Sequence, residues 1–349
     1  MDPLSHVAAG VICSQLVPAP SRGWAAAAGV LFALLPYIDY FFILWDRLAF
    51  IRYHRGFTHS LAAVPVFALA GGALGRVLGG DLWFKPLLLI GLAVLASHLL
   101  LDLATSYGTQ ILSPFSRRRF SLDWIFILDP YFTALLVAGA ICSLAFPVWG
   151  RRLGAGWLAA AMGYLLVCAL YHHQALALGH RLFQAPAARE QTVAALPQPF
   201  SCRRWQLLAA GPGQIRQAFV QLPYGSAWGL EAGEGQEPAP AAPESSRCDA
   251  PPLPYQDPAR LTLRTWTPAA PASRAYPPEA AAVLADFLEF ARFPLLCRVQ
   301  SEGGEQILEW LDLRFSIPGR PVPFVLELRL DAQGRHQQWL LGRRKASGS

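Results

Sequence analysis

Histidine and aspartate residues stand at the ends of long apolar segments in the first half of this chain. An ionisable side chain within a membrane segment is costly, so each one is a candidate functional residue whose partner has to be found. Imidazole nitrogens and carboxylate oxygens are ligands of zinc, and manganese and iron accept the same set. We therefore predict a divalent metal site, with zinc as the first choice and manganese or iron as alternatives. Its candidate residues are His6, Asp39, His59, His98, Asp102 and Asp129.

The motif "SHLLLDL" places His98 and Asp102 four positions apart. Residues at this spacing lie on one helical face, one turn from each other, so a single helix can offer both to one ion. A lone histidine in a membrane segment is more often an interfacial residue with satisfied hydrogen bonds than a ligand. The pair is therefore a better indication of metal binding than either residue alone.

The motif "HRGFTHSL" contains two further histidines, His54 and His59. Around an unbroken helix they would lie about 140° apart, so one of them must lie outside the helix. With Thr58 as the N-cap, we predict that His59 lies in the first turn as a ligand and that His54 lies on the loop. Arg55, between them, could hold a phosphate or ester oxyanion.

Asp129 has two interpretations. It precedes Pro130 at the start of a predicted helix, where an aspartate is a common N-cap. A carboxylate at this level is also a candidate general base for hydrolysis. The nearby arginines 117–119 either follow the positive-inside rule or contact lipid phosphate, with contact to a substrate phosphate as the alternative.

Apolar segments of about 20 residues, long enough to cross a bilayer, must position these side chains. If consecutive segments alternate in direction, all six candidate residues lie near the same membrane face. We therefore predict an all-α polytopic membrane domain of about five to six helices in residues 1–180. Its segments are 24–44, 59–78, 86–106 and 154–178, a fifth at 125–148, and a short one at 4–18.

The chain changes character after residue 180. Residues 181–199 read as a linker, and strand-like alternation follows in "RRWQLLAA", "QAFVQLPYG" and "RLTLRTWTP". A helix beginning at "PPEAAAV" precedes three more strands, two of them predicted as a hairpin around residues 331–334. We predict a small α+β soluble domain over residues 200–349, with a Pro/Ala/Gly-rich flexible stretch at 231–257.

Composition excludes several classes of protein. Only 15% of the 349 residues are charged, against about a quarter in soluble proteins. The net charge of +6 comes without a Lys/Arg-dense segment, so we predict a lipid bilayer as partner and no nucleic acid. The six cysteines show no paired spacing, so we predict neither a cysteine-based zinc site nor a disulfide framework. The N-terminus lacks the basic region of a cleavable signal peptide.

The motifs "DPLSHVAAG", "LLPYIDY", "HRGFTHSL", "SHLLLDLATSYGTQILSPFS" and "WIFILDPYF" occur in this order. Together they resemble the membrane-bound metal-dependent hydrolase family, a group that includes the bacterial inner-membrane protein YdjM, over about residues 1–180. The order of the ligand types is also similar to zinc-dependent phospholipase C. That similarity implies His6, Asp39, His59, His98 and Asp102 as metal ligands.

Two departures limit the second similarity. Tyr37 stands where the family has the first carboxylate of a "PDxD" motif, and the later His-x-x-x-Glu pair of the phospholipase is absent. One or two ions therefore fit the sequence better than three.

The resemblance implies a hydrolase in a bacterial inner membrane, and the interfacial level of the site favours a lipid-linked phosphate or ester as substrate. In this interpretation His54, Arg55 and Asp129 are the catalytic candidates. The alternative is a non-enzymatic membrane protein that transports metal ions or protons or serves as a partner-binding scaffold.

Arginine and lysine counts predict the orientation by a narrow margin. The two faces carry six residues (Arg47, Arg52, Arg55, Arg117, Arg118, Arg119) and five residues (Arg22, Arg76, Lys85, Arg151, Arg152). The excess lies on the face of the site, which predicts that the site and the C-terminal domain are cytoplasmic.

Overall fold

The structure is a computed structural model. It describes residues 1–146, 148–183, 192–224, 253–269, 276–320, 322–331, 333 and 335–342. The chain forms two compact units, which are described separately. The first comprises Met1–Trp45, Tyr53–Leu170 and Pro199–Cys202, and the second comprises Asp46–Arg52, Tyr171–Gln198 and Arg203–Ser349.

Helices make up the N-terminal half, and two short 3-10 segments interrupt them. The 3-10 segments are Leu35–Phe41 and Phe57–His59. The helices are α1 (Pro3–Leu16), α2 (Arg22–Leu34), α3 (Phe42–Trp45), α4 (Arg47–Tyr53), α5 (Ala63–Gly79), α6 (Asp81–Leu103), α7 (Pro130–Ala145) and α8 (Gly150–Phe183).

Side-chain caps start two of the helices that carry candidate residues. Asp2 accepts a hydrogen bond from the Ser5 backbone N–H at 2.9 Å, and proline follows it at the first helical position of α1. Asp129 caps α7 in the same way, again with a proline next in sequence. These caps satisfy backbone N–H groups that would otherwise lack partners in an apolar setting.

Three helical stretches in the described part of the chain are long and apolar enough to cross a membrane. They are Arg22–Leu44, Asp81–Leu103 and Gly150–Phe183, and a fourth span results if the pair Arg47–His59 and Ala63–Gly79, bent by 64°, counts as one. Helices α1 and α7, with 14 and 16 residues, are shorter than the about 20 residues that a span needs. The helical fold class is therefore confirmed, with three or four candidate spans where five to six membrane helices were predicted.

Glycines let α1, α2 and α6 approach closely. A Cβ atom on Gly10 would lie 2.6 Å from the carbonyl oxygen of Gly29 in α2 and 3.2 Å from a methyl group of Val94 in α6. Small residues at such crossings allow backbone-to-backbone packing in apolar helix bundles. At this crossing α1 therefore contacts both α2 and α6.

In the described part of the C-terminal region the chain forms two four-stranded antiparallel sheets and one α-helix, α9 (Pro278–Phe290). In the first sheet the order is β1 (Thr192–Gln198), β2 (Ser201–Gly211), β3 (Gln214–Gln221) and β4 (Arg264–Trp266). In the second it is β5 (Pro294–Glu302), β6 (Glu305–Asp312), β7 (Val325–Leu330) and β8 (His336–Gly342). The prediction of a small α+β domain is confirmed.

The end of α8 packs on the first sheet in the second unit. Ala175, Leu178 and Phe183 join Trp205 and neighbouring apolar residues in one buried core. Burial of this apolar surface stabilises the sheet and the last turns of the helix together.

Details of the C-terminal prediction need correction. Residues 181–199 are not all linker, because α8 extends to Phe183 and β1 occupies Thr192–Gln198, where Ala194, Ala195 and Leu196 are buried in the sheet. Strand β5 was not predicted at all. Cys297 is disulfide-bonded, a bond that the cysteine spacing did not predict. Of the predicted flexible stretch 231–257, residues 231–252 lie outside the described part of the chain.

Candidate metal centre

Seven of the predicted site residues form one buried network in the first unit. Each is no more than 5% exposed. They come from the first turns of α1, the 3-10 segment after α2, the segment between α4 and α5, and the last turns of α6. They are His6, Asp39, His54, Arg55, His59, His98 and Asp102.

Asp102 lies at the centre of the network. Its Oδ1 accepts from the Met1 amine, lies 3.2 Å from His6 Nε2, and pairs with Arg55 Nη2 at 3.0 Å. Its Oδ2 faces two imidazole nitrogens, His59 Nε2 at 3.5 Å and His98 Nε2 at 3.6 Å. The i,i+4 spacing of "SHLLLDL" thus places both side chains at the same centre.

Arg55 holds Asp102 and the end of α6. Its Nη1 donates to the Thr105 hydroxyl at 2.8 Å and to the Asp102 carbonyl oxygen at 3.3 Å. Its guanidinium also lies 4.9 Å from the ring centroid of Tyr107. The backbone of Arg55 has a φ of 57°, a left-handed conformation that costs a non-glycine residue about 1–2 kcal/mol. Such strain persists only where surrounding contacts impose it, and it is frequent at functional sites.

Asp39 accepts hydrogen bonds from the segment between α4 and α5. Its Oδ1 accepts from His54 Nδ1 at 3.1 Å, and its Oδ2 accepts from the Arg55 backbone N–H at 2.9 Å. The same Oδ2 lies 3.2 Å from His59 Nδ1 and 3.3 Å from the Thr58 hydroxyl. Asp39 therefore accepts from four donors of the "HRGFTHSL" motif.

Four buried side-chain atoms in this network, three imidazole nitrogens and one carboxylate oxygen, have no hydrogen-bond partner within the described residues. They are His6 Nδ1, His59 Nε2, His98 Nε2 and Asp102 Oδ2. Buried polar atoms normally have a partner, so a group of four without one needs an explanation. One ligand atom each from His6, His98 and Asp102 lies within 4.8 Å of the others, and a divalent ion fits this donor chemistry.

The tautomer of His98 agrees with a ligand role. Its Nδ1 lies 2.9 Å from the carbonyl oxygen of Ala33, which can only accept, so Nδ1 carries the proton. The Nε2 lone pair then faces Asp102. Metal-binding histidines commonly donate their other N–H to a carbonyl or carboxylate in this way. The imidazole of His6 stacks on that of His98 with 3.7 Å between ring centroids.

Asp129 makes different contacts. Its Oδ1 accepts from the Phe132 backbone N–H at 2.9 Å, and its Oδ2 accepts from the Tyr164 hydroxyl at 3.0 Å. The N-cap interpretation therefore describes its geometry, and the general-base role stays a prediction.

The predicted cap by Thr58 is wrong. His59 lies in the 3-10 segment Phe57–His59, and α5 begins only at Ala63. The Thr58 hydroxyl is directed to Asp39 and His59 instead of to a helix N-terminus.

Three residues beside the network were not predicted to contact it. The ring centroid of Tyr37, which the sequence marks only as a departure from a motif, lies 5.3 Å from that of His98 and 5.8 Å from that of His6. Thr105 follows Asp102 by three positions, a spacing that could have indicated it. Arg119 donates to the carbonyl oxygens of His54 and Gly108 at 3.2 and 3.1 Å, and no local pattern signals that contact.

Two comparisons show what known proteins this chain is similar to. The chain is 33% identical over 150 residues to the uncharacterized protein YfhP of Bacillus subtilis, and the match covers 40% of this chain and 46% of that protein. The chain thus matches less than half the length of this relative. No solved structure matches. The model of the YdjM inner membrane protein family matches residues 1–176 of 349. Because this is half of the chain, the chain belongs to the YdjM inner membrane protein family.

Proposed function

We propose that this protein is a metal-dependent hydrolase of the bacterial inner membrane, acting at the membrane interface on a lipid-linked phosphate or ester. The observation that carries the proposal is the group of four buried atoms, three imidazole nitrogens and one carboxylate oxygen, that have no hydrogen-bond partner in the described part of the chain. Membership of the YdjM inner membrane protein family supports the choice of membrane.

The residues we assign to the ion are His6, His59, His98 and Asp102. Around Asp102 Oδ2, the two imidazole nitrogens lie at 3.5 and 3.6 Å. Tetrahedral zinc with ligands at about 2.0–2.1 Å needs ligand atoms about 3.3–3.4 Å apart, so small side-chain movements suffice. Asp39 is the fifth residue of the predicted ligand set.

A bound divalent ion would supply Lewis-acid chemistry, because it polarises phosphoryl and carbonyl oxygens and lowers the pKa of water. The other residues would hold and move groups around it. Arg55 fixes the Asp102 carboxylate through a buried ion pair at 3.0 Å. His54 donates through Nδ1 to Asp39, so its Nε2 is the atom that would accept or deliver a proton. Contact of His54 and Arg55 with substrate stays a prediction.

The charge of the cluster favours phosphate over a neutral ester. Asp39 and Asp102 contribute −2 and Arg55 contributes +1, which gives −1 with neutral histidines, or 0 when the Met1 amine on Asp102 is protonated. A divalent ion would bring this sum to +1 or +2. An uncompensated charge is costly in an apolar setting, so an anionic phosphate completes the balance better than an uncharged ester.

Metal analysis of the detergent-purified protein tests the site. We expect stoichiometric zinc, manganese or iron in the wild type and in His173→Ala, whose histidine is exposed, and loss of the ion in His98→Ala and Asp102→Ala. Equal trace metal in all four proteins would contradict the site.

Activity is measured separately with vesicles that contain a long-chain phosphomonoester, a prenyl diphosphate, a phosphodiester or a carboxyl ester. We expect hydrolysis of one of the phosphate substrates, seen as inorganic phosphate from the phosphomonoester or diphosphate or as a phosphomonoester from the phosphodiester. This activity should be lost after chelation and in Asp102→Ala. Saturable uptake of labelled metal into sealed vesicles, abolished in His98→Ala and without hydrolysis of any substrate, would favour the transport alternative instead.

A further inference from the structure

We propose that Asp39 is a positioning residue and not a metal ligand: it holds His59 in the orientation and tautomer in which Nε2 faces the ion. This inference rests on the proposed metal site and assigns one of its predicted ligands a different role. It follows from a comparison of the hydrogen bonds that the Asp39 and Asp102 carboxylates accept.

The acceptor capacity of Asp39 is used by the protein itself. A carboxylate offers about four lone-pair sites. Asp39 accepts from His54 Nδ1 at 3.1 Å, from the Arg55 backbone N–H at 2.9 Å, from His59 Nδ1 at 3.2 Å and from the Thr58 hydroxyl at 3.3 Å. Asp102 differs, because its Oδ2 has no hydrogen-bond partner among the described residues.

The contacts of His59 favour the tautomer that carries the proton on Nδ1. A carboxylate only accepts, so the ring nitrogen that faces Asp39 carries the proton. The Thr58 oxygen lies 2.9 Å from the same Nδ1 and can accept from it while its own hydrogen points to Asp39. His59 Nε2 is then left with a lone pair, 3.5 Å from Asp102 Oδ2.

His59 and His98 have the same arrangement with different supports. Behind His98 the acceptor is the backbone carbonyl oxygen of Ala33 at 2.9 Å, and in front of it Nε2 lies 3.6 Å from Asp102 Oδ2. Behind His59 the acceptor is the side chain of Asp39. Two ligand histidines supported from behind by oxygen acceptors are the expected pattern for a metal centre. Asp39 is the support that mutation can remove.

The backbone of Arg55 determines how an asparagine would sit at position 39. The Arg55 N–H can only donate, so the atom that faces it at 2.9 Å must remain an oxygen. In Asp39→Asn the amide oxygen therefore stays beside the Arg55 N–H and His59, and the amide nitrogen faces His54. The support of His59 is weakened but kept, whereas in Asp39→Ala it is lost.

Metal titration of the apo-protein in detergent, with zinc and manganese as probes, tests the role. We expect the dissociation constant to rise about 10–100-fold in Asp39→Ala, with unchanged stoichiometry at saturation, and to rise less in Asp39→Asn. Asp102→Ala should lose the ion, and Asp81→Ala, which removes an exposed carboxylate, should match the wild type. Loss of stoichiometry in both Asp39 variants would make Asp39 a ligand and overturn the proposal, as would wild-type affinity in both.

Nitrogen-15 NMR of the imidazole groups in the metal-free protein gives a readout independent of metal. We expect His59, assigned by comparison with His59→Gln, as the Nδ1–H tautomer in the wild type and in Asp39→Asn, and as a mixture in Asp39→Ala. His54 should change tautomer in Asp39→Asn. An Nε2–H tautomer of His59 in the wild type overturns this proposal alone, whereas a wild type that binds no ion overturns the proposed function.

Discussion

Arg55 offers the sharpest test of how the centre is held together. Its ion pair with Asp102 joins side chains that are 3% and 1% exposed. Removing one partner of a buried pair costs about 3–5 kcal/mol, because the other charge is left uncompensated. Asp102 would keep the Met1 amine and His6 on the same oxygen, so we expect Arg55→Ala to cost about 3 kcal/mol, at the lower end.

Arg55→Gly separates the side chain from the backbone. The φ of 57° costs a non-glycine residue about 1–2 kcal/mol, and glycine escapes that cost. Glycine in turn lowers the stability by about 0.4–1 kcal/mol relative to alanine, because it has more conformational freedom in the unfolded chain. The net gain is about 1 kcal/mol, so we expect Arg55→Gly to be more stable than Arg55→Ala by that amount.

The assay is unfolding of the metal-free protein by sodium dodecyl sulfate in mixed micelles, followed by far-ultraviolet circular dichroism. Arg76→Ala is the matched control, because it breaks an arginine–aspartate pair whose members are 65% and 82% exposed. Such a pair contributes under about 1 kcal/mol. A loss in Arg55→Ala no larger than in the control would refute the argument from burial, and Arg55→Gly less stable than Arg55→Ala would refute the argument from strain.

Three further predictions concern the packing of α1, the cap of α7 and the topology of the chain. Gly10→Val should cost about 1–3 kcal/mol of stability in the same unfolding assay, because its Cβ would lie 2.6 Å from a carbonyl oxygen of α2. Gly156→Val, with open space around the glycine, should cost less. Equal costs would contradict the close crossing. Asp129→Ala should lose about 1 kcal/mol with the cap of α7, and Asp129→Asn should retain most of it. Cys297 is disulfide-bonded, and disulfides persist in oxidising compartments, so alkaline phosphatase fused after residue 199 should be active. If instead the phosphatase fusion is inactive and a green-fluorescent-protein fusion after residue 199 is fluorescent, the result would support the cytoplasmic orientation that the arginine and lysine count predicts.

Hydropathy and helical spacing were sufficient to locate the ligand types. His98 and Asp102 approach to 3.6 Å because the i,i+4 geometry of any helix brings such residues together. His6 meets them because a polar residue in the first turn of α1 and polar residues at the end of α6 lie at the same level. These relations depend on regular elements, and a sequence pattern specifies regular elements well.

The segment between α4 and α5 could not be predicted in the same way. Its backbone is held by residues far along the chain: the Gln110 N–H donates to the Arg55 carbonyl oxygen, and the Leu61 N–H donates to that of Ile111, both at 2.9 Å. These bonds hold the 3-10 turn of His59 where a simple helix start was predicted. No pattern within "HRGFTHSL" records a partner about 50 residues away in sequence.

The roles of Asp39 and Asp102 show where residue type ceases to be informative. Both are buried aspartates at the end of an apolar helix, and the resemblance to a known ligand order treats them alike. They differ because the backbone N–H of Arg55, a residue with a φ of 57°, donates to Asp39, whereas no hydrogen-bond donor among the described residues reaches Asp102 Oδ2. A carboxylate that already accepts from backbone and side-chain donors is a poor ligand, whereas one with an unpartnered oxygen among imidazole nitrogens is a good one. We therefore expect Asp102 to bind the ion and Asp39 to position His59, and the left-handed residue Arg55 supplies one of the donors that distinguish them.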